Sequence, residues 1–224
     1  MLLADGAAAF FEGRFAPAVV ALEAAELALA QGQEGMTYER NNTRVFRIHA
    51  LRLLGKLRQQ HALIREFVRT GRQRGDRYLE TTLRFLHGQA LMAGDDRSGA
   101  RRAIDEASWS PPDHGFHLQH WYELRARAEL ALYEGTARAA VATLAPRFSA
   151  LQQSMLLRVK IVRADARALR GRLLLAAAAE ELAPGPGHAE VQRIARELAA
   201  EEVGYASVYA LLLRAGLAAR GDGD

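Results

Sequence analysis

A glycine set in a short polar turn recurs along this chain at Gly13, Gly55, Gly94, Gly135 and Gly171, at intervals of 42, 39, 41 and 36 residues. A period of that length between apolar stretches marks a chain built from repeated helical hairpins. Each hairpin has an apolar face that only its neighbour can cover, so the units must stack. Glycine suits the turn because it adopts positive φ at a helix C-terminus without a Cβ clash. Helical periodicity fills the segments between. Val191, Ile194, Ala195 and Leu198 fall at i, i+3, i+4 and i+7, while Leu57, His61, Ile64, Phe67, Val68 and Gly71 follow one face of another helix. No stretch sustains the alternation of a strand.

In tetratricopeptide repeats (TPRs) the turn glycine is followed two residues later by a large apolar residue and five later by Ala. Gly13, Phe15, Ala18 and Gly171, Leu173, Ala176 fit this pattern, and Gly135, Ala137, Ala140 fit it in part. Gln60 and Gly99 stand where Gly55 and Gly94 should be followed by Ala, so the repeats are degenerate. The expected fold is all-α: a right-handed α-solenoid of about five to six TPR-like hairpins. Its helices are expected over 2–12, 15–32, 36–54, 57–73, 76–93, 96–108, 114–134, 136–145, 153–170, 172–182, 189–202 and 205–219. Proline sets the firm interruptions, at Ser110-Pro-Pro-Asp113 and Ala183-Pro-Gly-Pro-Gly187, and Pro146 is expected to end or kink a helix.

With 224 residues, half of them hydrophobic and a quarter charged, the chain is long enough to bury a core as one domain over 1–224, with 221–224 a frayed tail. The absence of cysteine excludes disulfides, thiolate zinc sites and cysteine nucleophiles. Asp5 interrupts the opening apolar stretch and no basic segment precedes it, so no signal peptide is expected. No apolar run reaches the 18 residues of a membrane span. A cytoplasmic protein with no membrane partner is the expectation.

The run Tyr38-Glu39, Asn42, Leu51, Leu54-Gly55, Arg74-Gly75-Asp76 with Tyr78, then Trp109, His120-Trp121, Leu124, Leu132-Tyr133 with Gly135, and Leu156-Leu157-Arg158 through Leu169-Arg170-Gly171-Arg172 resembles a known arrangement. It is similar to the C-terminal TPR-like region of bacterial, myxobacterial-type signalling proteins. In these a serine/threonine kinase domain precedes a STAND-type ATPase module and a helical array. The likeness runs from about residue 36 to 219, and departs from the pattern where Tyr38 replaces the usual Trp. It implies a sensing, interaction or autoregulatory array, with a kinase- or ATPase-linked partner. It imports no catalysis, because the chain has no phosphate-binding GxxxxGK[ST] loop and no kinase signature.

His114, His117 and His120, followed by Glu123, are spaced i, i+3, i+6; on one helix the outer two point about 120° apart and converge poorly on a metal. With Phe116, Trp121 and Tyr122 among them, they read as an aromatic and histidine seam, and no metal or cofactor is expected. The acid pairs Asp5 with Glu12, Glu180 with Glu181 and Glu201 with Glu202 do not face one another closely enough to share a proton. No nucleophile, base and orienter fall together, so a non-catalytic chain is expected.

Charge is uneven: residues 1–40 carry six acids against two arginines, whereas 41–100 carry twelve basic residues against five acids. Of 30 basic residues 28 are Arg, so genomic composition is one account of the excess. An anionic partner is the other. Arg40, Arg44 and Arg47 share a face at 40–47; Arg58, Arg65, Arg69 and Arg72 flank the next helix; Lys160, Arg163, Arg167 and Arg170 form a third line. Two readings fit these stripes: ion-paired helix faces, or a groove that receives carboxylates or phosphates bidentately. The second makes Arg40, Arg44, Arg47, Arg163 and Arg167 the candidate partner-binding residues. The leading function is a protein–protein interaction or regulatory scaffold that holds a peptide or protein, acidic or phosphorylated, in a concave groove. The alternative is a nucleic-acid-binding repeat protein, disfavoured because the arginines are not interleaved with aromatics for base stacking.

Overall fold

The computed structural model describes residues 2–31, 35–107, 115–179 and 186–219. Among them lie eleven α-helices, one short 3-10 helix and no strand. The chain is thus all-α, as its periodicity indicates. It falls into two compact units, residues 1–110 and 111–224; the expected single domain spans both.

The first unit holds α1 (Leu2–Phe11), α2 (Phe15–Ala30), α3 (Thr37–Leu53), α4 (Leu57–Arg74), α5 (Arg77–Ala93) and α6 (Arg97–Glu106). Each helix packs on the next, and α3 also packs on α1 and α5. Phe10, Leu22, Ile48, Leu51, Ile64, Phe67, Leu83 and Ile104 form its buried centre. Gly13 and Gly55 turn the chain with φ of 79° and 68°. At Gly94 the expectation fails in detail: its φ is −92°, and Asp95 takes the left-handed conformation instead, at 60°.

Both departures from the repeat pattern have local causes. Gly99 replaces Ala because the Asp96 carboxylate accepts its N–H at 2.8 Å, capping α6. A Cβ on Gly99 would lie 2.0 Å from that carboxylate. Gln60 is fully buried and its amide donates to the Ile48 carbonyl at 3.4 Å, tying α4 to α3.

The second unit holds α7 (Leu118–Glu134), α8 (Ala137–Gln153), a 3-10 turn (Met155–Arg158), α9 (Lys160–Ala178), α10 (Pro186–Ala199) and α11 (Gly204–Ala218). Here α9 packs on α7, α8, α10 and α11. The stripe Val191, Ile194, Ala195 and Leu198 is buried against Ala164, Ala168, Leu213 and Leu217.

Three expectations are corrected in this unit. Gly171 is not a turn: a single helix, α9 over Lys160–Ala178, runs through it where two helices were expected over 153–170 and 172–182. The glycine serves close packing, since a Cβ there would meet Leu213 Cδ1 of α11 at 2.7 Å; a Cβ on Gly216 of α11 would likewise lie 2.8 Å from Leu175 Cδ1. Pro146 does not end α8, which continues to Gln153. Pro146 and Ala142 both face solvent, so the carbonyl left without its i+4 donor is open to water. Finally, α7 starts at Leu118, so His117 precedes the helix rather than riding on it. The expected interruption over 110–113, His114 and the tail 221–224 lie outside the described residues.

Candidate functional site

Arg44 and Arg47 lie on the side of α3 that meets α2. Arg44 Nε donates to Glu26 Oε1 at 2.7 Å, and its guanidinium stands 4.4 Å from the centre of the Phe67 ring. Arg47 donates to Glu26 Oε2 at 3.1 Å and to Glu23. Its side chain is only 7% exposed, so a core arginine here is balanced by two carboxylates of its own chain. Arg40 makes no ion pair among the described residues. Its Nε is buried, and burial, followed by the nearby Arg74 and Arg44, holds its pKa below the ordinary value.

On α9, Arg163 grips Glu201 bidentately, with both N–O distances 2.6 Å, and donates a third hydrogen bond to the Leu157 carbonyl at 2.7 Å. Arg167 adds a bond of 2.7 Å to Glu201 and a contact of 3.0 Å to Glu197. Glu201 is 6% exposed, and the hydrogen bond from Arg163 holds its carboxyl below the ordinary value. Four of the five candidate partner-binding arginines are therefore engaged by Glu23, Glu26, Glu197 and Glu201 of this chain. Arg170 of the same line stands 3.2 Å from Glu190. The ion-paired reading of these two stripes describes the geometry.

The histidine seam is a helix cap. The His117 N–H donates to Nδ1 of His120 at 2.8 Å, an arrangement that needs an unprotonated Nδ1. Burial, and then His117 and Arg147, lowers the His120 pKa accordingly. Beside it, burial opposes ionisation of Glu123, but Arg147 at 2.6 Å and Arg127 at 2.8 Å hold it ionised. Among the described residues no three such side chains are grouped to hold a metal ion, and no helix is long and apolar enough to cross a membrane.

Two grooves in the first unit attract notice, and composition alone pointed to neither. An apolar one of about 740 Å³ opens between α1, α2 and α3, lined by Leu2, Leu3, Leu29, Met36, Tyr38 and Phe46 among others. Phe46 rests on Phe10 and Phe11, with ring centres 5.3 and 5.5 Å away, so the floor is an aromatic cluster. Tyr38 is 71% exposed and Met36 41%. The signal was Tyr38 itself, a large ring at the start of a helix on a chain with only 7% aromatics.

The second groove, about 390 Å³, is basic. Arg65, Arg69 and Arg72 reach it from α4, and Arg84 and His87 from α5. The flank of α4 was legible as spacing; Arg84 and His87 join it only because α5 packs beside α4. Comparison with protein families, with curated proteins and with solved structures finds no match to this chain.

Proposed function

We propose that the chain is a non-catalytic interaction or regulatory scaffold, its TPR-like hairpins stacked in a right-handed α-solenoid, that receives a segment of a protein partner. The observation that carries this reading is the open apolar groove of α1–α3, where Leu2, Met36 and Tyr38 stay exposed over an aromatic floor. Exposed apolar groups gathered in a concavity are a mark of an interaction surface. Tyrosine and methionine suit it further, one as a rigid anchor and the other as an adaptable contact. Packing of α3 on both α1 and α5, and of α9 on both α7 and α11, favours stacked hairpins within each unit. The signalling arrays that the sequence resembles supply a kinase- or ATPase-linked, cytoplasmic setting for such a partner.

Selection of a displayed random-peptide library on the full chain tests the proposal. Enriched peptides should carry large apolar anchors and bind the variant M36S/Y38S at least about tenfold more weakly, a change of 1.4 kcal/mol. Its melting temperature should stay unchanged, since both side chains face solvent. Failure to enrich any sequence, or equal binding by wild type and variant, rejects the reading.

A further inference from the structure

We propose that the basic groove formed by α4, α5 and α6 is a binding site for a phosphate monoester dianion, with Arg65 and Arg69 as its primary ligands. The inference does not depend on the apolar groove and stands if that surface proves unoccupied.

The helix geometry comes first. Residues 65, 68, 69 and 72 occupy i, i+3, i+4 and i+7, so Arg65, Val68, Arg69 and Arg72 form one face of α4. The groove runs along that face and is closed by Arg84 and His87 of α5 and Ala103 of α6.

Charge accounting then separates this site from the other arginine stripes. Arg72 donates to Glu80 at 2.6 Å; Arg84 reaches Glu80 at 3.1 Å and Glu106 at 2.5 Å. Arg65 and Arg69, both exposed, make no ion pair with an acid among the described residues. Among the described residues four guanidinium groups thus meet two carboxylates, leaving two positive charges at one concave spot. Burial, and then His61, Arg65 and Arg84, pushes the His87 pKa down to about 4, so this ring adds no third charge at neutral pH. At the 40–47 and 160–170 stripes, by contrast, the chain's own glutamates occupy the forks of Arg44, Arg47, Arg163 and Arg167.

The excess of two matches a monoester, which is close to a dianion at neutral pH, better than a carboxylate or a phosphodiester, each a monoanion. Guanidinium forks bind phosphate oxygens in pairs, and their planar geometry fits better than a lysine would. A polynucleotide asks for something else: a charged track with aromatic platforms along it. Among the described residues no aromatic side chain lines this groove, apart from the His87 imidazole. Arg72 and Arg84 are preset by Glu80, so the site does not have to order every side chain that surrounds the ligand.

The experiment is titration calorimetry of the full chain at neutral pH. The probes are inorganic phosphate, dimethyl phosphate, a phosphoserine peptide, the same peptide without phosphate, and a single-stranded oligonucleotide. Inorganic phosphate and the phosphopeptide should bind, at least about fivefold more tightly than dimethyl phosphate and the unmodified peptide. The variant R65Q/R69Q should lose at least about tenfold in affinity for both, with an unchanged melting temperature because neither arginine holds an ion pair. Should the double variant fail to fold, R69Q alone carries the same test with at least about a threefold loss. A phosphopeptide much tighter than phosphate identifies a modified protein segment as the source, and equal affinities identify a free anion; either result supports the site. Equal binding of phosphate and dimethyl phosphate overturns the proposal, as does undiminished binding by the arginine variants. A preference for the oligonucleotide with a steep salt dependence overturns it too, in favour of nucleic acid.

Discussion

A buried charge can be tolerated only if the fold supplies its counter-charge, and Arg47 illustrates the consequence. Its guanidinium bridges Glu23 and Glu26, so Arg47→Ala leaves the part-buried Glu26 to Arg44 alone and should cost about 1.5 to 3 kcal/mol of stability. Chemical denaturation checks this, and a variant as stable as wild type refutes a structural role. Arg65→Gln removes a residue with no such partner and should leave stability unchanged. Spacing alone made these two arginines look alike; the position of α2 over α3 makes one a strut and leaves the other free to bind. Gly171 makes the same point for an uncharged residue. Replacing it with Ala improves helix propensity by up to about 1 kcal/mol, but the new methyl presses on Leu213, which is only 2% exposed. Overpacking of this kind costs about 1 to 3 kcal/mol, so Gly171→Ala should lower the melting temperature. A rise would mean that Leu213 repacks freely.

At the scale of elements, the Glu201 carboxylate fastens the α10–α11 turn to the body of α9. Arg163 and Arg167 supply three hydrogen bonds to it. Arg163→Ala should destabilise the second unit by about 2 to 3 kcal/mol, toward the lower end because Arg167 remains and Arg163 is a quarter exposed. The acid response follows from the lowered Glu201 pKa. A carboxyl depressed in the folded state contributes stability above its unfolded pKa of about 4.3. That contribution is lost as pH falls through the lower folded value. Glu201→Gln should therefore be less stable than wild type at neutral pH, with the gap closing in strong acid, a comparison that denaturation midpoints can make directly. A constant gap would show that packing rather than charge sets the effect.

For the whole molecule, the pH profile of stability has a second feature, from the His61–His87 pair. The two rings share a hydrogen bond of 3.0 Å, and the His87 pKa falls to about 4 from an ordinary 6.5. Above pH 6.5 the ring is neutral whether the chain is folded or not. As pH falls below 6.5 the unfolded chain takes up a proton that the folded chain refuses until about pH 4. Stability should decline across that window by at most about 1.4 kcal/mol per pH unit. His87→Gln removes the titration, so its stability should fall less steeply between pH 6.5 and 4; parallel slopes would contradict a proton-poor His87.

What the sequence determined by itself was whatever depends on neighbours in the chain. The apolar period of Val191, Ile194, Ala195 and Leu198 required a helix with one buried face, and all four are buried. Gly13, Gly55 and Gly135 required turns because each needs positive φ, and each has it. The sequence could not show that Gly171 lies inside a helix, because the reason for that glycine is Leu213, 42 residues away, and two glycines look alike until the helix that presses on one is in place. Nor could it divide the arginines into paired and unpaired, since Arg163 finds its carboxylate 38 residues on and Arg84 finds Glu106 22 residues on. Helix formation and turn strain are local and act within a few residues. Close packing and charge neutralisation act between residues that only the folded chain brings together, and there the tertiary structure alone decided which side chains hold the fold and which remain available to a ligand.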